Sequence, residues 1–596
     1  MEWKQKFVTF GDMLDYGKAN YPKNIAMANP IKKRFVRYDE LSDAVDYMSG
    51  YINSLIDTDE RFTVSMFGEN SMEWMLVFLS AVAGNNIVAP INHQTKEPAE
   101  IRRLIIMAEI KIVFVAKQFK ELFTTVIGEW PKESSAPTPL IIGLEEACTP
   151  VISGSRSGEA PAPETIKSRT GKIQALQDDY AILLFTSGSI NTKGVMHSQR
   201  SLLSNQQSAA ELLSVAHQNE VFIAGLPLSH AYGLLCGFVP FTFGATAVYA
   251  PTPRQIAENI AASGAAFPDK GLLAAGVPDL ARIMNQRIIR SVKASGRNSP
   301  PVKRLLGNVK YAMFLAMRRI NYFTSSNFNL DLSGVFFKPI KEKFGNELKM
   351  PIGGGPTDKV TEFGLRGVGI IAVGGYGTTE MAPLVAANAT ILNKVLSGSV
   401  GQVPNGMEIK LINGEVCCRG PNMMLSYLKN EAATAKAIPG DGWYHTGDKG
   451  YFVKLGLGGR KKPAGYPADY IYTPADEKCY LILEGRVDNQ FANLRGENIY
   501  PEVIESLLMN YQVVSSCRVF ESPPSHVMAQ VFPDADAIEQ KLGKLPTADE
   551  IKNMVSQIVK QVNLQLQSGC GIEDFEVRDT DFERNAFGKI KRATGS

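Results

Sequence analysis

The chain has 596 residues, of which 44% are hydrophobic and 21% charged, and its formal net charge is +3. This length exceeds what one hydrophobic core usually supports, so we expect at least two domains. The small net charge gives no indication of nucleic-acid binding. The seven cysteines form no Cys-x-x-Cys pair and no local cluster with histidine. This spacing predicts neither a disulfide framework nor a zinc site and is typical of a reducing compartment such as the cytoplasm.

The first part of the chain alternates helical and strand patterns. Apolar residues recur with helical spacing over Tyr38–Leu55, residues 62–67 and 110–115 have strand patterns, and residues 74–82 resemble a buried helix. This alternation predicts parallel sheets with crossover helices, an α/β fold class. Residues 221–250 contain no Asp, Glu, Lys or Arg, over a length that could span a bilayer. Glycines and prolines interrupt this stretch, which favours buried strands and helices over a spanning helix.

A short apolar strand pattern, Tyr180–Phe185, leads into a loop rich in hydroxyl groups and glycine, Thr186–Gly194, which contains one lysine. Glycine lets backbone N–H groups point at anionic oxygens, the hydroxyls add donors, and lysine adds a mobile charge. The loop therefore indicates a phosphate site, although such sequences are often only turns. Its spacing differs from that of the common nucleotide-triphosphate loop.

Residues 282–330 contain ten basic side chains, no acidic one, and several interleaved aromatic and aliphatic residues. A basic amphipathic segment can lie on an anionic membrane surface, so peripheral membrane contact is one interpretation. Two others stay open: a solvated basic face packed on the domain, and a docking surface for an acidic carrier protein.

Two glycine clusters follow further strand patterns. The first is Gly353–Pro356, and the second is Gly374–Glu380, about twenty residues later. Small residues let the backbone approach a flat ring, and Tyr376 offers a face for stacking. Thr379 adds a hydroxyl for a phosphate oxygen, and Glu380 adds a carboxylate for Mg²⁺, a cation that prefers oxygen ligands.

Charged residues suited to a nucleotide recur towards the C-terminus. Asp448 ends the motif Gly442–Asp448, and Arg486 follows a glycine. A carboxylate suits ribose hydroxyls, whereas an arginine suits ribose and phosphate oxygens. Lys589 lies in a Gly-Lys sequence and suits charge that develops on a phosphate. By itself, a basic run of this kind is usually a solvated tail.

In this order the motifs resemble those of the adenylate-forming superfamily, which contains acyl-CoA synthetases, peptide-synthetase adenylation domains and luciferases. The resemblance extends from Tyr38 to Lys591. Further matching segments are Asn70–Trp74, Val88–Asn92, Pro227–Gly233, Gly398–Gly401 and Arg419–Asn422. The resemblance implies a large N-terminal domain, residues 1–487, of stacked and mostly parallel sheets with helices. A small, mobile α+β C-terminal domain, residues 488–596, would rotate about a hinge at Asp488.

The resemblance also implies a two-step reaction. ATP and a carboxylic acid, with Mg²⁺, give an acyl-adenylate and pyrophosphate. A thiol then displaces AMP, and this thiol belongs to coenzyme A or to the phosphopantetheine arm of an acyl carrier protein.

The roles implied for individual residues follow the motifs. The β- and γ-phosphates would contact Thr186, Ser187, Gly188, Ser189 and Lys193, while adenine would contact Gly353, Gly354, Gly355, Pro356, Tyr376 and Gly377. Thr379 would touch the α-phosphate, Glu380 would bind Mg²⁺, and Asp448 and Arg486 would hold the ribose. Lys589 would bridge the carboxylate and the α-phosphate, His230 would lie at the mouth of the acyl site, and Gly496 would border the pantetheine channel.

The chain departs from the superfamily pattern in two places. The phosphate loop is one residue short and lacks a glycine and the proline before Lys193, although Asn191 tolerates a left-handed backbone better than most residues. Residues 454–478 form an insertion to which we assign no chemistry. The stretch 334–355 and the preceding extended segment resemble long-chain acyl-CoA synthetases, which favours a fatty or other extended apolar acid.

Three functions therefore stay open on the sequence. The chain is an acyl-CoA synthetase, an acyl-AMP ligase that loads a carrier protein, or a noncatalytic acyl- or nucleotide-binding relative. Retention of Lys589 argues against the third. The sequence does not determine the chain length of the acid or the oligomeric state.

Overall fold

The structure is a computed structural model. It describes residues 4–590 except for 132–135, 153–178, 187–191, 213–217, 295–300, 329, 339–340, 342–346, 356–358, 391–394, 456–460, 464, 468–469, 494, 496, 512, 523–524, 543, 567–568 and 584–589. Among the predicted site residues, Ser187, Gly188, Ser189, Pro356, Gly496 and Lys589 lie outside the described residues.

Helices and strands alternate along most of the chain. The helices are α1 (Phe10–Asn20), α2 (Tyr38–Ser54), α3 (Met72–Ala83), α4 (Pro98–Met107), α5 (Lys120–Gly128), α6 (Leu144–Ile152), α7 (Gln199–Leu212), α8 (Ala231–Phe238), α9 (Ile256–Ala266), α10 (Pro278–Ala294), α11 (Pro301–Phe328), α12 (Ser333–Phe336), α13 (Lys359–Gly367), α14 (Glu431–Ala437), α15 (Pro501–Met509), α16 (Ala535–Leu542) and α17 (Ala548–Asn563).

The strands fall into the following spans. They are β1 (Ile25–Asn29), β2 (Arg34–Arg37), β3 (Thr63–Phe67), β4 (Ile87–Val88), β5 (Ile110–Val115), β6 (Leu140–Gly143), β7 (Tyr180–Phe185), β8 (Gly194–Ser198), β9 (Glu220–Ala224), β10 (Thr246–Tyr249), β11 (Gly271–Ala274), β12 (Leu348–Ile352), β13 (Ile370–Gly377), β14 (Leu384–Ala387), β15 (Glu408–Ile412), β16 (Glu415–Arg419), β17 (Ser426–Tyr427), β18 (Tyr444–Leu455), β19 (Lys461–Pro463), β20 (Ile471–Tyr472), β21 (Cys479–Arg486), β22 (Phe491–Ala492), β23 (Asn498–Ile499), β24 (Val514–Ser522), β25 (His526–Pro533) and β26 (Asp574–Val577).

Two large sheets form the N-terminal part. The first has the order β14-β13-β12-β11-β9-β10-β1-β2, and the second has the order β17-β8-β7-β4-β3-β5-β6. From β13 to β1 the first sheet is parallel, and the antiparallel strands β2 and β14 close its edges. The largest hydrophobic cluster contains residues of both sheets and of helices α3 and α8, among them Trp74, Phe78 and Phe238. The predicted α/β class is confirmed.

Three smaller sheets follow, one of which is the two-stranded pair β22-β23. The third sheet has the order β19-β18-β16-β15-β20, and β21 also pairs with β18. The last sheet, β24-β25-β26, packs with α15 and α17 around a separate core that includes Ile504, Val519 and Val559. This smaller α+β part at the C-terminus agrees with the predicted fold class. The boundary at 487/488 and the mobility of residues 488–596 stay predictions.

The stretch without charged side chains, residues 221–250, contains the buried elements β9, α8 and β10, as its glycines and prolines predicted. The basic segment 282–330 contributes to α10 and α11, which pack against α13 on the outer side of the first sheet. Within the described ranges, no helix is both long enough and apolar enough to cross a membrane.

One short connection, Thr379–Leu384, which we call the junction turn, joins β13 to β14 and is hydrogen-bonded to other layers of the fold. From β8, Nε2 of His197 lies 2.8 Å from the first carbonyl of the turn. From α7, the amide of Asn205 pairs with the N–H and carbonyl of the last residue, each at 3.1 Å. After β16, the Asn422 side chain donates to the carbonyl of Met381, and the N–H of Met424 donates to the carbonyl of Glu380, each at 2.7 Å. The turn therefore fixes the three sheets relative to one another.

The buried His197 is uncharged in the folded protein. Burial lowers the pKa of His197 to about 4, against the opposing effect of its hydrogen bond to the carbonyl of Thr379. A ring nitrogen that faces a carbonyl must carry the proton, which assigns the hydrogen to Nε2 and leaves Nδ1, 3.3 Å from Ser201 Oγ, unprotonated.

We expect this histidine to make the fold sensitive to acid. The unfolded chain binds the proton near pH 6.5 and the folded chain only near pH 4, so stability is lost as the pH falls through this window, on the order of 3 kcal/mol in full. His197→Gln, which keeps an N–H donor and does not titrate, should show a shallower fall in melting temperature between pH 6.5 and pH 4. Equal slopes for parent and variant in calorimetry would contradict the assignment.

Candidate active site

A cavity of about 420 Å³ lies where parallel strands of the first sheet end. It is bordered by residues at or just beyond the carboxyl ends of β9, β11, β12 and β13, and by helices α7 and α8. Because parallel strands end at one edge of a sheet, the loops that follow them converge there, which is where open α/β sheets bind ligands. The volume falls within the range of roughly 300–1,000 Å³ that is common for small-molecule sites.

Two kinds of surface line this cavity. One is apolar and comes from helices and strands in the protein interior: Ala209, Phe222, Leu235, Cys236, Val239 and Leu273. The other consists of glycine backbone and of polar or aromatic side chains from the predicted nucleotide motifs: Gly353, Gly354, Gly375, Tyr376, Gly377 and Thr379. A single cavity thus offers room for an apolar chain next to a surface suited to a flat ring and a phosphate.

Packing explains the glycines in this wall. A Cβ atom at Gly377 would lie 2.4 Å from the carbonyl oxygen of Pro383, which is shorter than any tolerable contact. Gly354 has φ +84°, in the left-handed region that side chains disfavour. At Gly353 a Cβ would come within 3.0 Å of the ring of Tyr232, whose hydroxyl bonds to the carbonyl of Pro351 at 2.9 Å. These glycines keep the backbone exposed to the cavity.

The loop that carries His230 is fixed by a buried asparagine. Asn70 donates to the carbonyl of Leu226 at 2.8 Å and accepts from the N–H of Leu228 at 2.9 Å. His230 then precedes α8, where its carbonyl accepts from Leu234 N–H at 2.7 Å. His230 borders the cavity. Its place at the mouth of the acyl site stays a prediction.

Asp448 and Arg486 come together because their strands pair. The two residues are opposite partners in the antiparallel pairing of β18 with β21. Arg486 NH1 lies 3.4 Å from Asp448 Oδ1, and the Tyr376 hydroxyl donates to the other carboxylate oxygen. Burial and the adjacent Asp448 carboxylate raise the pKa of Tyr376, so the phenol stays protonated and remains a donor. Three predicted nucleotide residues are therefore linked by one hydrogen bond and one ion pair.

Glu380, the predicted Mg²⁺ ligand, has a partner that the sequence analysis did not identify. Tyr427 on β17 donates its hydroxyl to Glu380 Oε1 at 2.7 Å, and Lys193 Nζ lies 4.5 Å from the centre of the Tyr427 ring. Burial raises the pKa of Tyr427, and the Glu380 carboxylate raises it further. The phenol is thus held as a donor to Glu380, and its ring lies under the lysine of the phosphate loop.

The ends of the phosphate loop are paired with each other. Thr186 N–H donates to the carbonyl of Lys193 at 2.9 Å, and Lys193 N–H donates to Thr186 Oγ1 at 3.0 Å. These bonds continue the antiparallel pairing of β7 and β8. The loop therefore connects the two strands of a hairpin, and Lys193 directly precedes β8.

Further polar residues around the site had no recognisable signal in the sequence. Asn205 and His197 hold the junction turn from a distance of more than 170 residues along the chain. Helix α7 is unusual because its buried residues are mostly polar, and they include Ser201, Ser204, Asn205, Gln206 and Ser208. A helix rich in glutamine, asparagine and serine is the only indication that the sequence gives of buried polar contacts here.

Asp488, the predicted hinge, lies in a 3₁₀ turn, Val487–Asn489, between β21 and β22. Ile590, next to Lys589, borders a second cavity of about 220 Å³, which is also lined by Arg282 of α10 and Glu502 of α15. Ile590 therefore lies between α10 of the N-terminal part and α15 of the small C-terminal part. Domain rotation about Asp488 stays a prediction.

Comparison with known proteins places this geometry in a family. The chain is 25% identical to the human long-chain-fatty-acid–CoA ligase 6 over 584 residues, covering 91% of this chain and 76% of the relative. It is 22% identical to the Arabidopsis thaliana long-chain-fatty-acid–[acyl-carrier-protein] ligase AEE15 over 622 residues, covering 94% and 80% of the two chains.

Solved structures share the fold. The O-succinylbenzoate coenzyme A synthetase of Bacillus subtilis, in complex with ATP and magnesium ion, superposes with a TM-score of 0.66 at 18% identity, covering 97% of this chain and 98% of that one. The sequence model of the AMP-binding enzyme family matches residues 15–428, more than half of the chain. The predicted superfamily is thereby confirmed, and the chain belongs to the AMP-binding enzyme family.

Proposed function

We propose that this AMP-binding enzyme is an acid–thiol ligase of the acyl-CoA synthetase type, which activates a fatty or similarly extended apolar acid as its adenylate and transfers the acyl group to a thiol. The proposal rests on one cavity. Part of its wall is apolar, and another part is built from the predicted nucleotide motifs. An acyl-adenylate combines an apolar chain with a nucleotide through one mixed anhydride, so it needs both surfaces in continuity.

In the first step the acid carboxylate attacks the α-phosphorus of ATP, and pyrophosphate leaves. Two anions must approach each other, so the site must neutralise charge where the new bond forms. Lys193 and the predicted Lys589 supply cationic groups, while Tyr376, Asp448 and Arg486 hold the nucleoside in place. These roles rest on the resemblance together with the contacts described above.

The residues around Glu380 fit a hard divalent cation. A carboxylate is an oxygen donor of the kind that Mg²⁺ prefers, and Tyr427 orients it through Oε1. Glu380 would hold the ion, whose chemistry is to neutralise phosphate charge as a Lewis acid, while the Thr379 hydroxyl would touch the α-phosphate. Because Tyr427 already restricts the rotamers of Glu380, the carboxylate loses less conformational entropy when it binds the ion.

In the second step the thiol attacks the acyl carbonyl, and AMP leaves with the bonding electrons on its phosphate oxygen. We propose coenzyme A as the acceptor, as in the name of the human relative. The name of the Arabidopsis relative indicates a carrier protein instead, so the phosphopantetheine arm of a carrier protein is the alternative acceptor. A direct comparison of the two thiols with a preformed acyl-adenylate separates them.

The proposed membrane contact through residues 282–330 is supported by the exposed face of α11. Helix α11 buries polar residues, Arg318, Asn321 and Ser325, and exposes apolar ones, Met313, Ile320 and Phe323. Exposed Arg287 and Arg319 lie on α10 and α11. Helix α11 also buries the apolar Phe314 in the core of the first sheet. Its exposed face, which combines apolar and basic side chains, suits an anionic surface. A docked carrier protein would meet the same face, and the contact stays a prediction.

Replacement of Lys589 tests the adenylation step. We expect Lys589→Ala to lower acid-dependent pyrophosphate release by roughly 10²–10³-fold, because one positive group aimed at developing charge is lost. Release would be measured with ATP, Mg²⁺ and a panel of fatty and aryl acids. Lys591→Ala, two residues on, is the matched control and should retain the parent rate.

The same variant also shows whether the loss is specific. If Lys589 acts only in adenylation, Lys589→Ala should still convert a synthetic acyl-adenylate and coenzyme A into acyl-CoA and AMP. No release by the parent with any acid would contradict the proposed ligase and leave a binding function.

Filling the apolar wall tests where the acyl chain lies. Ala209 of α7 is 2% exposed and borders the cavity. Ala209→Phe should lower kcat/KM for long-chain acids by roughly tenfold or more relative to short ones, since the added ring occupies space that the chain would fill. Ala265→Phe, on the exposed side of α9, is the control. An unchanged chain-length profile in a folded Ala209→Phe variant would move the acyl site elsewhere.

A further inference from the structure

Two paired strands of the third sheet present a carboxylate, a thiol and an imidazole on one face. Glu415 and Cys417 are two residues apart on β16, and His445 on β18 is the direct antiparallel partner of Cys417. Side chains two apart on a strand, and those directly opposite each other, point to the same face. One ligating atom from each of the three lies within 4.8 Å of the others.

The distances match those around a tetrahedral metal ion. His445 Nδ1 lies 3.3 Å from Glu415 Oε2 and 3.6 Å from Cys417 Sγ. Zinc bonds of about 2.0–2.3 Å in tetrahedral geometry separate their nitrogen, oxygen and sulfur ligands by roughly 3.3–3.6 Å. Two of the three separations thus match those of zinc ligands, and the third, between the Glu415 carboxylate and Cys417 Sγ, lies within 4.8 Å.

Outer contacts orient two of these groups. The second oxygen of Glu415, Oε1, accepts from the Gly447 N–H at 2.8 Å, which leaves Oε2 directed at the cluster. The far nitrogen of His445, Nε2, lies 3.5 Å from Asp441 Oδ2, and Asp441 also faces Lys410 Nζ at 3.5 Å. A carboxylate behind a histidine is the usual second layer of a zinc site and directs the other nitrogen to the metal.

We infer that Glu415, Cys417 and His445 bind one zinc ion through Oε2, Sγ and Nδ1, with water as the fourth ligand. A donor set of one oxygen, one nitrogen and one sulfur suits a borderline-soft cation such as Zn²⁺ and not Mg²⁺. The Glu415 and His445 side chains are 24% and 21% exposed, so an ion and a water molecule can reach the position from solvent. This inference does not depend on the proposed ligase activity.

Binding requires one proton to leave. The Cys417 thiol must become a thiolate to bind the ion, so Zn²⁺ replaces its proton, which passes to solvent. Without metal, the same cluster is a hydrogen-bonded histidine between two acidic residues. These two states differ in a thiolate–metal bond, which has a spectroscopic signature.

The experiment uses the full-length, metal-depleted protein titrated with Co²⁺ as a probe for Zn²⁺. We expect a thiolate-to-cobalt charge-transfer band and the visible bands of a tetrahedral site, saturating at one ion per chain and displaced by Zn²⁺. Cys417→Ser should abolish the charge-transfer band. Cys418→Ser, whose side chain faces the core on the other side of the sheet, should retain it.

Two further variants protect the test against simple loss of folding. Asp441→Asn should keep the charge-transfer band but weaken Co²⁺ binding by roughly 10–100-fold, as expected for an outer partner. His445→Gln keeps the thiol and should weaken binding further, with far-ultraviolet circular dichroism to confirm that both variants are folded.

The inference fails if the parent shows no charge-transfer band. It fails equally if the band survives Cys417→Ser, or is lost only in Cys570→Ser, since Cys570 is the cysteine with partial exposure. Any of these three results would mean that Glu415, His445 and Asp441 form a hydrogen-bonded cluster without metal.

Discussion

The active-site architecture depends on the junction turn, Thr379–Leu384. A buried polar backbone must be hydrogen-bonded, because an unpaired group in the interior costs about 1–3 kcal/mol. Here the partners come from β8, from α7 and from the segment after β16. Satisfying one turn thus aligns three sheets, and the alignment sets Glu380 against Tyr427 and the glycine wall against α8. A substitution of any of these partners would alter the positions of the nucleotide motifs.

Much of the fold could be predicted because local patterns and tertiary structure agree. The helix over Tyr38–Leu55 and the strand over residues 110–115 appear with shifts of at most one residue, since a buried face imposes its period on the sequence. The phosphate loop and the first glycine cluster could be located because they follow β7 and β12 directly, where the chain reaches the ligand-binding edge. Domain limits and individual residue roles stay predictions.

The rest depends on contacts that no local pattern encodes. Tyr427 is 47 residues from Glu380, and nothing around it in the sequence marks it as a partner. The cysteine spacing predicted no zinc site, because that argument considers neighbours in sequence. Cys417 and His445 are 28 residues apart and meet only through the register of β16 and β18, which side-chain packing in the third sheet determines.

The paired base of the phosphate loop has a consequence for how this family can vary. Because the bonds between Thr186 and Lys193 close the hairpin independently of what lies between them, losing one of about seven loop residues changes the closure entropy by only about 0.1 kcal/mol. By closure entropy alone, a change of one residue in the length of this loop is nearly neutral for folding. The length of the loop can therefore vary with the demands of phosphate binding at little cost in folding free energy.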